Sequence, residues 1–113
     1  MRTEVTIAPG VCGFETKAAA VTADGMNVEF EIDSPCKSIQ ELAGQLKDMG
    51  PINAYMEVSP QNESAVLSAA RGILVKKGCC EACVVPAALC KAMQVATGLA
   101  LPKDVTISIR ANV

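Results

Sequence analysis

The stretch VTADGMNVEFEIDSP, residues 21–35, contains a turn, a strand and the start of a helix in direct succession. Asp24-Gly25 suits the positive φ values of a tight hairpin turn, so the strands on either side of it are predicted to pair. In residues 28–32 apolar side chains alternate with glutamates, which is the period of a strand with one buried face. Ser34 suits a helix cap and Pro35 a first helical position, which predicts a helix beginning at Pro35.

The same criteria extend outward to the rest of the chain. Alternating polarity predicts further strands at residues 3–7, 14–22 and 105–109. Helical spacing predicts helices from Pro35 to Met49, from Asn62 or Ser64 to Lys77, and from Pro86 to Gly98. The order is β-β-β-α-α-α-β. It predicts a single α+β domain over residues 1–113, with an antiparallel sheet of about four strands and three helices packed on one face.

Charge and hydropathy exclude two classes of partner. Ten basic and twelve acidic residues give a net charge of −2, and no basic run exceeds Lys76-Lys77, so no nucleic-acid partner is expected. No apolar stretch approaches the roughly 20 residues that span a bilayer, so no membrane partner is expected. The N-terminus lacks the apolar core of a signal peptide, which predicts a cytoplasmic protein. The polar residues on the strands predict that the second face of the sheet is either exposed to solvent or covered by another subunit, as in a homodimer.

Thiol chemistry is the distinctive feature of this composition. The chain has six cysteines among 113 residues and no histidine. In a reducing cytoplasm persistent disulfides are rare, and such cysteines are more often ligands, nucleophiles or small buried hydrophobic residues. Without histidine, any metal ion must be held by sulfur, carboxylate or amide oxygen. A Cys–His nucleophilic pair is impossible within the chain.

Two cysteines lie where the chain changes direction. Cys12 precedes Gly13 in a predicted turn, where its side chain can project from the sheet and a ligand can approach the backbone. Cys36 follows Pro35 at the predicted start of the first long helix, where unpaired N–H groups and the helix dipole favour a thiolate. The alternative for each is a cysteine that only packs, and the sequence leaves both interpretations open.

The remaining cysteines lie before and within the third helix. Cys79, Cys80 and Cys83 give C-x-x-x-C and C-x-x-C spacings at a chain reversal, where two sulfurs can meet one metal ion or each other. Because the adjacent side chains of Cys79 and Cys80 point in different directions, one of the two at most is expected to join Cys83. Cys90 falls within the helix and is expected to pack in the core.

These positions lead to three alternative functions. The first is metal or cluster binding by Cys12, Cys36 and Cys83, with Cys80 as a candidate fourth ligand. The bound group is an iron–sulfur cluster or, alternatively, zinc. The second is thiol–disulfide or sulfur transfer through Cys80 and Cys83, with a redox protein as partner. The third is a structural or interaction protein with no thiol function and no cofactor. Whether the protein is an enzyme is left open.

Four segments give the chain a resemblance to a known group of proteins. They are Cys12-Gly13-Phe14, Cys36, Cys83-Val84-Val85-Pro86, and residues 98–105, GLALPKDV. With them the chain resembles a small family of uncharacterised proteins, a domain of unknown function, from anaerobic bacteria and archaea. The resemblance covers nearly the whole chain. It implies that Cys12, Cys36 and Cys83 are the family's cysteines, which favours a three-thiol site over a C-x-x-C pair. An anaerobic source would also suit an oxygen-sensitive cluster.

Overall fold

The computed structural model describes residues 1–58 and 63–112, without the side chains of residues 77–79. Four strands and four α-helices lie in these segments. The strands are β1 (Arg2–Ile7), β2 (Thr16–Val21), β3 (Asn27–Asp33) and β4 (Ile52–Asn53). The helices are α1 (Lys37–Asp48), α2 (Ala54–Glu57), α3 (Ala65–Leu74) and α4 (Val85–Ala96), and a 3₁₀ helix, Val75–Ala82, joins α3 to α4.

The strands form one antiparallel sheet in the order β1-β2-β3-β4. The turn between β2 and β3 is the predicted one, and Asp24 holds it together. Its carboxylate accepts hydrogen bonds from the N–H groups of Met26 at 2.8 Å and Asn27 at 2.7 Å, while Gly25 adopts a φ of 76°. These bonds, led by that from the Asn27 N–H, hold the pKa of the Asp24 carboxyl well below its usual range.

The helices cover one face of the sheet. Helix α4 packs against β1 and β2, α1 packs against β3 and α3, and α3 packs against α4. The buried core between these layers is aliphatic, and its largest fully buried apolar side chains are Ile39, Leu42, Leu89, Met93, Val28, Val66 and Val85. On the opposite sheet face, Glu4, Lys17 and Glu31 are exposed. The α+β class, the antiparallel sheet and the helix layer are therefore as predicted.

The predicted element order differs from the structure in its last strand. Residues 105–109 form no strand, and every residue from 101 to 112 is exposed. The fourth strand is instead Ile52–Asn53, which pairs with Val28 and Asn27 of β3. Alternating polarity shows that a segment can form a strand. It does not show whether another strand lies beside that segment, and without such a neighbour the segment joins no sheet.

The predicted helix starts also need adjustment. Helix α1 begins at Lys37 with Cys36 as its N-cap residue, two positions after the predicted start at Pro35. Helix α3 begins at Ala65 and is capped by Ser64, one of the two predicted starts. The other predicted start, Asn62, lies outside the described residues.

Candidate functional site

The antiparallel register brings two of the predicted cysteines to the same end of the sheet. Ile7, the last residue of β1, pairs with Thr16, the first residue of β2, and Asp33 at the end of β3 pairs with Lys17 beside it. The β1–β2 connection and the segment that follows β3 therefore leave the sheet at one end. Cys12 lies in the first of these segments and Cys36 in the second.

Cys12 lies in a short turn whose shape depends on glycine. The Gly13 N–H donates to the Gly10 carbonyl oxygen at 3.0 Å, and both glycines have positive φ, 92° for Gly10 and 72° for Gly13. Residues with a Cβ rarely adopt such angles, so the two glycines let the chain reverse tightly around Cys12. The thiol is free and exposed.

Cys36 is fixed by hydrogen bonds around Ser34. The Ser34 hydroxyl accepts from the Cys36 N–H at 3.2 Å and from the buried Thr16 hydroxyl at 2.8 Å. The Gln40 side chain donates to the Ser34 carbonyl oxygen at 2.8 Å. Cys36 occupies the N-cap position of α1, but its side chain makes no capping hydrogen bond. The Cys36 sulfur is therefore half-buried at the N-terminus of α1 but does not cap the helix. The helix dipole favours negative charge at this position.

Cys83 is placed at the start of a second helix. The Cys83 N–H donates to the Cys80 carbonyl oxygen at 3.0 Å, which closes the 3₁₀ helix immediately before α4. The Val85 N–H, at the first position of α4, hydrogen-bonds the Cys83 sulfur. Cys80 and Cys83 are both half-buried against the hydrophobic core. The start of α4 thus donates a hydrogen bond to the Cys83 sulfur, whereas the Cys36 side chain makes no capping hydrogen bond at the start of α1.

Three other thiols lie near enough to Cys83 to affect its ionisation. Burial is the main cause that raises the pKa of the Cys83 thiol, and the Val85 N–H opposes it. The negative charges of Cys12, Cys36 and Cys80 each raise the pKa of Cys83 further. Charges act on a thiol in this way only from nearby positions, so Cys12, Cys36 and Cys80 each lie within electrostatic range of Cys83.

We call Cys12, Cys36, Cys80 and Cys83 together the thiol corner. In the structure their side chains are not arranged to coordinate one metal ion. In residues 1–58 and 63–112, leaving aside the side chains of 77–79, no group of three or more Cys, Asp or Glu side chains is arranged to hold a metal ion. The side chain of Cys79 lies outside the description.

The corner also adjoins an open groove of about 400 Å³ between α3 and α4. Its lining is mainly aliphatic and includes Leu67, Leu74, Val75, Pro86 and Cys83. The groove gives solvent and small molecules a path to Cys83.

A second cluster of polar groups, which the sequence analysis did not find, surrounds Cys90. The Glu57 carboxylate accepts from the Ser64 hydroxyl at 2.7 Å and from the Ala65 N–H at 2.8 Å and the Val66 N–H at 3.1 Å. Glu57 thereby caps the N-terminus of α3, although it precedes Ser64 by seven residues in the sequence. Local capping patterns involve residues only about three apart, so they do not predict this contact. Cys90 hydrogen-bonds Ser64 and packs against the core, which is the role expected of it.

Alkylation in the folded protein is expected to be much slower at Cys90 than at Cys12. Burial raises the pKa of Cys90 to about 11, so at pH 8 only about one Cys90 thiol in a thousand is the reactive thiolate. Cys12 is exposed. Iodoacetamide labelling followed by peptide mass spectrometry should show at least about tenfold slower modification of Cys90. In denaturant the two rates should converge; equal rates in the folded protein would contradict the structure.

Comparison with known proteins identifies the family. A family model described as "Family of unknown function (DUF6951)" matches residues 3–109. The chain belongs to this family. The DUF6951 match includes the whole thiol corner and also the exposed segment after α4 as far as residue 109. No curated protein and no solved structure gives a significant match to the chain.

The helices of this DUF6951 protein are short. Among those in the described part of the chain, none has both the length and the apolar character needed to cross a bilayer. The longest, α1 and α4, each have 12 residues, and a span needs about 20.

Proposed function

We propose that the protein binds an iron–sulfur cluster through Cys12, Cys36 and Cys83, with Cys80 as a fourth ligand and zinc as the alternative occupant. The observation that supports this proposal is that Cys12, Cys36 and Cys80 each lie within electrostatic range of Cys83. Cys36 caps the start of α1, and Cys83 lies just before α4. Thiolates are the ligands of iron–sulfur clusters, and four of them suffice for zinc.

Electrostatics support a cationic occupant. Several thiolates at one corner repel one another, as the effect of the other three on the pKa of Cys83 indicates. An iron or zinc cation removes this repulsion, because each ligand then shares its charge with the metal. The Val85 N–H at the start of α4 hydrogen-bonds the Cys83 sulfur, and a helix N-terminus favours the net negative charge of a cluster with thiolate ligands.

The redox alternative has less support from the geometry. An attacking thiol needs a lowered pKa, whereas burial and neighbouring charges raise that of Cys83. A purely structural role has less support too, because Cys12 is exposed and has no packing role.

The proposal also includes the setting in which the protein works. Free thiols are stable in a reducing compartment, so we propose a cytoplasmic location and, for a redox-active cluster, a redox protein as partner. Balanced charge argues against a nucleic-acid partner.

Anaerobic purification followed by metal and sulfide analysis tests the proposal. We expect a coloured protein with iron and acid-labile sulfide, or one zinc per chain if zinc is the occupant. Protein purified without metal should be reconstituted anaerobically with ferrous iron and sulfide, in parallel with a variant in which Cys12, Cys36 and Cys83 are all serine. A wild-type protein that binds no more iron or zinc than this variant would refute the metal proposal. A reversible loss of two hydrogens on oxidation would then indicate the Cys80–Cys83 redox pair.

A further inference from the structure

The segment after α4 has the pattern of a strand but pairs with no strand in the described part of its own chain. Its apolar residues Val105, Ile107 and Ile109 alternate with Thr106 and Ser108. Ile107 is 64% exposed and Ile109 is 89% exposed. Isolated apolar residues on a surface are common, but an alternating row of them is typical of a strand that pairs elsewhere.

The C-terminus of α4 is fixed by backbone hydrogen bonds and a glycine. The N–H groups of Leu99 and Ala100 both donate to the Gln94 carbonyl oxygen, at 2.8 and 3.2 Å, and Gly98 takes a φ of 78°. Pro102 follows and restricts the backbone further. This ending directs residues 103–112 away from the body, in keeping with a molecule 49 Å long and 29 by 28 Å across.

The sheet offers an edge that such a segment can complete. β1 is an outer strand, six residues long, with β2 on one side. Met1 and Thr22 exchange both backbone hydrogen bonds, at 2.7 and 2.9 Å. In an antiparallel pair the bonding direction alternates, so the N–H and C=O groups of Arg2, Glu4 and Thr6 point away from β2. An edge of this kind is a template for another strand.

The two elements also match in the polarity of their faces. β1 presents Val5 and Ile7 to the core side and Glu4 to the outer side. A strand paired with β1 can place Ile107 and its apolar neighbours beside Val5, which extends the covered face. Arg110, on the opposite side of the segment, then lies on the face that carries Glu4, with complementary charge.

We infer that residues 105–109 pair with the β1 edge of a second copy of this chain, and that the two copies exchange these segments reciprocally. A twofold exchange pairs both β1 edges and both exposed segments at once, and because it is reciprocal the same contact adds no further copies. The DUF6951 match extends to residue 109, so the exchanged strand belongs to the family's domain. This inference is independent of the thiol corner.

Light scattering coupled to gel filtration, in reducing agent, tests the segment. We expect the wild-type protein to have twice the chain mass of 11.7 kDa. Ile107→Asp places a charge on the paired apolar face and should raise the dimer dissociation constant at least about tenfold. Ser108→Asp adds the same charge on the outer face and should leave the dimer intact. A monomeric wild-type protein, or a dimeric Ile107→Asp variant, would overturn the inference.

The edge is tested by a second pair of variants. Glu4→Pro removes an outward N–H and should dissociate the dimer, whereas Glu4→Ala keeps that N–H and should remain dimeric. Circular dichroism checks that both fold. Independently, amide hydrogen exchange in the wild-type dimer should show protection at residues 105–109 and at Glu4. Loss of the dimer in Ile107→Asp with no protection of Glu4 would show that the segment docks elsewhere and would overturn the assignment to β1.

Discussion

Replacing Cys83 with serine is expected to reduce the iron or zinc bound per chain at least about tenfold. Loss of a group that merely orients a ligand lowers metal affinity 10–100-fold, so loss of a ligand should cost no less. Cys83 lies at the start of α4, and the charges of the other three thiols of the corner all act on it. A serine hydroxyl at this position is a much poorer ligand because it stays protonated at neutral pH. Metal analysis after anaerobic reconstitution measures the effect.

Cys90→Ser is the matched control for this prediction. It makes the same sulfur-to-oxygen change in the same helix region, but Cys90 packs near Ser64 and Glu57 and not at the thiol corner. We expect Cys90→Ser to retain the wild-type metal content. Equal losses in Cys83→Ser and Cys90→Ser would indicate a general effect on folding. A Cys83→Ser variant with full metal content would remove Cys83 from the ligand set and contradict the three-thiol assignment.

The fold was predictable where the signal was local. The Asp24-Gly25 turn and the alternation in β3 need only neighbouring residues, and both were predicted correctly. β4 has two residues, Ile52 and Asn53, which is too short for a periodic pattern. Its place in the sheet depends on pairing with β3, which no local rule contains.

Predicting the site required combining local signals with topology. The positions of Cys36 and Cys83 near helix starts follow from Pro35 and Pro86. The antiparallel order of the first strands brings Cys12 and Cys36 to one end of the sheet. The contacts that hold Cys36 were not predictable. Thr16 and Ser34 are 18 residues apart, and their hydrogen bond depends on the register of β2 against β3.

The folded core that supports the corner should be sensitive to the loss of a single large side chain. Leu42 of α1 is fully buried, and Leu42→Ala is expected to lower the free energy of unfolding by about 2–5 kcal/mol. The cost combines lost transfer free energy with the cavity that remains when close-packed neighbours relax only partly. For a chain of this size, each kcal/mol lowers the melting temperature by about 4 °C. Thermal and urea unfolding followed by circular dichroism measure it.

Leu67→Ala provides the matched comparison for Leu42→Ala. The chemical change is the same and both positions lie in helices, but Leu67 is 42% exposed. It loses less transfer free energy and leaves no closed cavity, so we expect a cost below about 1 kcal/mol. Because α1 carries Cys36 at its N-terminus, Leu42→Ala should also weaken metal binding at temperatures near its lowered melting point. Similar costs for the two variants would mean that α1 does not pack against α3 and β3 as the structure has it.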